Sequence, residues 1–317
     1  SKIIILGAYM QKEKTQKKVY DPLKISKTSN VVLNIVLILL TISAILPFLF
    51  VVMISITDEA TIKSNGYSLI PEKFSLEAYK FIFKSGGQIA RSYKNSIIIT
   101  VVGVVLALIL TTMYAYSLSR EDYEYKGFFT KVSTIPMLFS GGLVANYLIM
   151  TQFLGLKDSM WALILPGLVG SYNIILMRTY FQTSIPHALV EAATIDGANE
   201  MQIFFKIILP LSLPIIATVG LFLTLAYWND WYQAMLYIDS EDKIPVQYML
   251  MRIQNSTNFL SLRKDALGGL AGEIRKTLPQ ESLKMAIVVI TTAPILIAYP
   301  FFQRYFISGL TLGAVKE

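Results

Sequence analysis

The sequence predicts an all-α polytopic membrane protein of about six transmembrane helices, and three observations carry that expectation. Of its 317 residues 54% are hydrophobic and only 15% charged, and the mean hydropathy is +0.54, well beyond the composition of a soluble domain. Apolar runs of about 20 to 25 residues recur along the chain, each long enough to cross about 30 Å of hydrocarbon at 1.5 Å per residue. There is no cysteine and a single histidine, His187, so disulfide scaffolds, thiol catalysis and histidine metal clusters are excluded and no metal site is expected.

The apolar runs fall at Val31–Ile56, Asn95–Leu118, Phe128–Met150, Met160–Phe181, Leu209–Trp231 and Leu283–Phe302. They define one membrane domain over residues 31–303, flanked by a basic segment, 1–30, and a short tail, 304–317. Seven lysines precede Val31 (Lys2, Lys12, Lys14, Lys17, Lys18, Lys24, Lys27) against Glu13 and Asp21, and supply +5 of the formal net charge of +7. Basic residues stay on the cytoplasmic side, so this segment is expected inside the cell. Six crossings return the tail to the same side, together with Arg120, Lys126 and the loop 184–208. That loop carries Lys206 against Glu191, Asp196 and Glu200; acids weigh little in the rule. Ile3–Leu6 is too short for the core of a cleaved signal peptide, so Val31–Ile56 is read as a retained helix. The segments 57–94 and 232–282 are then external. Asp239, Glu241, Asp242 and Lys243 beside Pro245, followed by Gly268, Gly269 and Gly272, suit polar loops with short helices that hold a partner outside the membrane.

Within the loop 184–208, Ser184 is placed to cap a helix over Ile185–Ile195 with Pro186 in its first turn, where a missing N–H costs nothing. Asp196-Gly197 reads as its stop. Leu189, Ala192 and Ala193 share one face, and alanines there let another protein approach closely. A second helix follows, with Met201, Phe204, Phe205 and Ile208 at i, i+3, i+4, i+7 forming an apolar stripe that can pack beneath the membrane helices. Pro210 and Pro214 open the next crossing.

These residues spell E-A-A, three residues, G, nine residues, I-x-L-P from Glu191 to Pro210. In this register, between two long apolar segments, the pattern resembles the cytoplasmic loop of membrane subunits of ABC importers. Ile185-Pro186 upstream, Asp196 before Gly197, and the ending Gly309-Leu310-Thr311-Leu312-Gly313-Ala314-Val315-Lys316 make the chain similar to the carbohydrate-uptake, maltose-permease-like group. The resemblance implies the type I permease fold and a subunit that is not itself an enzyme. It further implies import of a carbohydrate, expected to be an oligosaccharide, through alternating access across a bacterial inner membrane. It implies as partners a second related permease subunit, two ATPase subunits, an extracytoplasmic solute-binding protein and membrane lipid, with no nucleic acid. By the same resemblance Glu191, Ala192, Ala193, Asp196, Gly197 and Ala198 meet an ATPase subunit, and the tail residues Gly309, Leu310, Gly313, Val315 and Lys316 reach the interface of the two ATPase subunits. Glu317 stands where relatives usually end in glycine. The chain has no G-x-x-x-x-G-K-[ST] phosphate loop, so ATP and magnesium are expected on the partners and no cofactor on this chain. Ser85-Gly86-Gly87-Gln88 echoes an ATPase signature but reads as a Gly-rich turn. Asn255-Ser256-Thr257 fits a glycosylation sequon that is read as idle.

Prolines 47, 136, 166, 210, 214, 294 and 300 interrupt the crossings, where freed carbonyls need protein or a water-filled cavity around them. Gly141 and Gly142 with Asn146 and Tyr147 combine close backbone approach with polar and aromatic surface. Leu225, Trp228, Asn229 and Tyr232 fall on one face beside Asp230 and Trp231, a set able to stack on and hydrogen-bond a sugar. For Asn229 and Asp230 a role as interfacial anchors stands equally, and Trp231 reads as an anchor. Asn173 is either a solute contact or interhelical glue. Two rival readings remain at this point. An importer of peptides or other small solutes shares the Glu191 pattern. An ion-coupled carrier or membrane-embedded enzyme would need intramembrane acids and bases, of which the crossings hold little beyond Arg178 and Asp230.

Overall fold

A computed structural model describes residues 26–84, 86–262 and 280–314. The lysines before Ser26, the glycines 268, 269 and 272, and Val315 and Lys316 lie outside the described residues. The chain divides into two units, Ser1–Phe50 and Val51–Glu317. In the first, the described part is the body of helix α1 (Lys27–Ser55, 29 residues). Its apolar side chains from Val31 to Leu46 are largely exposed, as befits a surface meant for hydrocarbon or another membrane helix.

The second unit is built on α4 (Gly86–Ser119), 34 residues without a proline. At 1.5 Å per residue it is about 50 Å long and overshoots a bilayer core at both ends. Two short helices precede it, α2 (Glu59–Asn65) and α3 (Glu77–Lys84). The following run is no straight crossing: α5 (Lys126–Leu138) and α6 (Gly142–Leu148, continued as a π turn to Phe153) meet at 117°. Pro136 weakens the end of α5, and Gly142 at φ +79° turns the chain, its amide bonded to the Ser140 hydroxyl. The fourth run is also broken. α7 (Trp161–Ile164) passes into a 3-10 turn, Leu165–Gly167, and bends by 44° into α8 (Ser171–Ser184). Beyond the bracket described below, α11 (Leu213–Asn229) and α14 (Gln280–Ala314) complete the unit, with α12 (Tyr232–Tyr237) and α13 (Val246–Leu262) between them. Among the described residues three helices are therefore long and apolar enough to cross a membrane, and up to six crossings result if each bent pair counts as one. The helix α14 runs through Gly309, Leu310 and Gly313 to Ala314, where a short separate tail was expected.

Close approach of α4, α11 and the 3-10 turn after α7 is set by one side chain. The Tyr227 ring lies between Gly103 and Gly167; a Cβ built on either would fall 2.7 Å from a ring or hydroxyl atom. Its hydroxyl donates at 2.8 Å to the carbonyl of Ile164, the cap residue of the 3-10 turn, whose α-helical partner, the Leu168 amide, bonds Leu165 instead. Ala107 and Ala115 of α4 are fully buried in the same core.

The face of the molecule nearer Gly86 is tied by polar groups. Asp158, at φ +56°, accepts from the amides of Asp239 (3.1 Å) and Ser240 (2.9 Å), from the Ser240 hydroxyl and from Lys243 Nζ (2.9 Å). Tyr147 stacks on Tyr237 at 5.8 Å and Lys157 pairs with Asp239. Asn95 donates to the Asp242 carbonyl, and the Ser96 hydroxyl accepts from the Val246 amide. Glu59 of α2 caps the start of α14 from outside, accepting from the amides of Glu281 and Ser282.

Two outcomes test this packing. Gly103→Ala should lower the thermal midpoint of the detergent-solubilised assembly, because overpacking against a ring held on both sides costs about 1–3 kcal/mol. Gly127→Ala, which meets nothing within 4 Å, should not. The second concerns Asp158: the Ser240 hydroxyl, and after it the Lys243 ammonium, hold its carboxyl well below the usual aspartate range. A depressed folded pKa stabilises above the unfolded value and is lost as pH falls. Asp158→Asn should therefore melt a few degrees lower than wild type at both pH 7 and pH 5. The gap should close only below about pH 4, where an ordinary aspartate protonates.

Candidate site: the Glu191 bracket and its surroundings

The bracket has two arms. The first, α9 (His187–Ile195), starts two residues later than Ser184 would dictate; Pro186, extended at φ −63°, ψ 126°, is the cap residue and no side chain caps the helix. Its fixed φ and missing N–H suit that position. At the other end Ala198 N–H bonds the Ala193 carbonyl and Gly197 N–H that of Thr194, with Gly197 at φ +81°. These two bonds form a Schellman stop, which needs a residue that tolerates the left-handed region. No residue of α9 is buried, and Ile195 is 85% exposed. Glu191 and Ala192 are exposed and Ala193 half-buried.

The second arm, α10 (Glu200–Ile203), opens with a reciprocal capping box between Asn199 and Gln202, at 2.9 and 3.0 Å. A π turn, Phe204–Ile208, and a last turn, Leu209–Leu211, extend it. The expected stripe is not buried as a whole. Ile203, Phe204 and Ile208 are buried, while Met201 and Phe205 are more than half exposed and Pro210 is also exposed. Widening to the i−5 bond, Leu209 N–H to the Phe204 carbonyl, rotates later residues off a 3.6-residue register, and it occurs just where Pro210 has no N–H for the Lys206 carbonyl. Leu209–Leu211 thus belongs to the bracket, and α11 departs from it at 76° around Ser212.

Arg120, just beyond α4, joins the bracket to the rest of the unit. Its guanidinium donates to both Asp122 oxygens (2.9 and 2.7 Å) and to Glu200 Oε1 (3.0 Å), while the Tyr116 hydroxyl donates to Glu200 Oε2 at 3.0 Å. The bond to Asp122 leads in raising the Arg120 pKa, and reciprocally holds Asp122 below its ordinary value. The Tyr116 ring packs on Phe204 at 5.2 Å and on Phe181 at 6.4 Å. Reading the loop by itself missed Arg120 and Tyr116; their signal, a cation closing a long helix opposite an acid-opened arm, lies 80 residues away in sequence.

The candidate solute residues do not form one surface. Gly141, Gly142 and Asn146 are exposed at the α5–α6 turn, whereas Tyr147 faces Tyr237. Trp228 is buried, its Nε1 donating to the Thr291 carbonyl at 3.0 Å beside Tyr93. Asn229 is exposed, bonding the Leu225 carbonyl and accepting from Gln247 at 3.1 Å. Asp230 accepts from the Gln233 amide and lines a cavity of about 140 Å³ with Pro166, Gly167 and Tyr227. Tyr232 is 40% exposed with Trp231 edge-on to it. Asn173 is half-buried and makes no hydrogen bond among the described residues. Among the described residues no cluster of His, Asp and Glu could hold a metal ion.

Comparison with known proteins agrees with this architecture. Residues 103–311 match the family described as "Binding-protein-dependent transport system inner membrane component". The chain is 39% identical over 280 residues to the polygalacturonan/rhamnogalacturonan transport system permease protein of Bacillus subtilis (strain 168), covering 88% of this chain and 95% of the relative. It is 31% identical to the arabinooligosaccharides transport system permease protein of Halalkalibacterium halodurans, covering 86% and 91%. A chain from the crystal structure of a bacterial ABC transporter involved in the import of the acidic polysaccharide alginate superposes with a TM-score of 0.73 at 31% identity, over 89% of this chain and 99% of that one. The chain therefore belongs to the inner-membrane components of binding-protein-dependent transport systems.

Proposed function

We propose that this chain is one of two related permease subunits of an importer that moves an oligosaccharide across a cell membrane, powered by two separate ATPase subunits and supplied by an extracytoplasmic binding protein. The observation that carries the reading is the first arm of the bracket: an apolar helix with no buried residue, stopped by a Schellman turn at Gly197. Such a face is made to be covered by another protein. The solute class is supported by the relatives, which are named for polygalacturonan, arabino-oligosaccharide and alginate transport.

In this mechanism ATP closes the ATPase pair and displaces α9, whose Glu191, Ala192 and Ala193 lie in their cleft. The turn at Gly197 passes the movement to α10, and the bend at Ser212 passes it to α11. The crossings then swing between inward-open and outward-open states beneath the binding protein. This chain itself catalyses nothing and binds no cofactor; ATP and magnesium belong to the partner subunits, and the α14 terminus approaches them. Both termini and the bracket lie in the cytoplasm, supported by the seven lysines before Val31.

The reading is tested in membrane vesicles that contain all subunits, with the binding protein present. Labelled oligogalacturonides or arabino-oligosaccharides should enter on addition of ATP and peptides should not; peptide uptake alone would reassign the solute. Gly197→Val places a β-branched residue in the left-handed region at a cost of about 1–2 kcal/mol, so uptake per ATP hydrolysed should fall about tenfold while the subunit remains in the membrane. Orientation is checked separately, since the sequence holds no native cysteine. Single cysteines at Lys12 and Gly313 should resist an impermeant thiol reagent in intact cells, and one at Lys243 should react. External labelling at Lys12 would invert the topology.

A further inference from the structure

The bracket is seated by apolar packing of Ile203, Phe204 and Ile208, which resists separation but not sliding. Its directional attachment is different in kind. Glu200, the first residue of α10, places its two carboxylate oxygens on two donors from the end of the α4 segment, Tyr116 and Arg120. Among the described residues Arg120–Glu200 is the one ion pair between the bracket and any other element. The Tyr116 ring on Phe204 is the apolar contact beside it. Tyr116, Arg120 and Asp122 line two open cavities, one of about 400 Å³ reaching Met113 and Met201, the other of about 500 Å³ reaching His187, Glu191 and Ile195. The first arm faces the end of α4 across the second of these cavities, and the polar link to α4 is made by the second arm, at Glu200.

We infer that Arg120 and Tyr116 are positioning residues for coupling: through Glu200 they lock the second arm to α4, so that displacement of the bracket moves that helix instead of sliding beneath it. The proposal rests on the reading of the bracket as the coupling element. Glu200 is 58% exposed in the pair, so the link contributes little to stability. Its function lies in direction. Asp122 has no part in it, because its bond to Arg120 stays within one stretch of chain and does not reach the bracket.

The test measures uptake per ATP hydrolysed, in the vesicles described above, with the labelled oligosaccharide of that panel that enters fastest. Arg120→Gln and Glu200→Gln should each lower the ratio about fivefold or more, and the double variant should be no worse than either single one, as expected for two ends of one link. Asp122→Asn should leave the ratio unchanged. Singles with a normal ratio, losses that multiply in the double variant, or a loss in Asp122→Asn equal to that of Arg120→Gln would each overturn the proposal. A second form removes any question of folding: Arg120→Cys/Glu200→Cys, compared in one preparation before and after bridging by a short thiol-reactive crosslinker. Bridging should raise the ratio towards wild type, and an unchanged ratio overturns the link. Gly197→Val is measured alongside. If it stays coupled, the bracket reading itself fails; if it uncouples while the pair variants do not, only the link fails.

Discussion

In hydrocarbon every backbone carbonyl needs a donor from the protein, and that constraint organises this chain more than any single apolar contact. Its crossings are broken by prolines, and each break with a described partner is served by a side chain from another crossing. Pro294 has no N–H for the Ile290 carbonyl, and the Tyr93 hydroxyl of α4 donates there at 2.8 Å. The indole of Trp228 serves the next carbonyl, Thr291. The 3-10 turn at Pro166 takes the Leu168 amide away from Ile164, whose carbonyl accepts from Tyr227, and the Tyr180 hydroxyl reaches Leu211 where the bracket bends into α11. A break that would weaken an isolated helix here fixes which helices must be neighbours.

That economy explains what could be read from the sequence and what could not. The apolar runs at 95–118 and 283–302 appear as the long helices α4 and α14, because hydrophobic length is a local property. The stop at Gly197 was equally legible, since a Schellman turn is specified within six residues. The bend at Gly141-Gly142 was not, nor the π turn after Ile203: a glycine pair or a proline marks where a helix can break, not the angle or the widened turn it then takes. The stripe Met201, Phe204, Phe205, Ile208 took two sides of the helix as one face; the buried side is Ile203, Phe204 and Ile208, with Met201 and Phe205 in the open.

Aromatic residues in the crossings show the same ambiguity in another form. Trp228 and Tyr232 fall on one helical face by spacing, and an amide between them completes a surface able to hold a sugar. In the folded chain the polar tip of each residue decides its place. Trp228 spends its N–H on Thr291 and is buried, whereas Asn229 turns outward to Gln247. A tyrosine or tryptophan in a membrane helix thus has two competing uses, donor to a broken neighbour or contact for a solute, and only the position of the orphaned carbonyls separates them.

Against this background α4 stands apart: of the three described helices that could each cross a membrane alone, it is the one without a proline, and it has ties at both ends. Near its start Gln88 bonds Glu241, Asn95 the Asp242 carbonyl, and Ser96 the Val246 amide; just past its end Arg120 bonds Glu200. A helix of about 50 Å with no interruption is the stiffest element available, and the broken crossings packed on it supply the compliance. Under the proposed coupling, force applied to α9 meets a rod that ends among the segments after α11, on the far side of the membrane from the bracket. The Asp158 cluster holds those same segments, 237–243, in one conformation. A displacement at the bracket can therefore be felt where a binding protein would sit, without any hinge in α4 to absorb it.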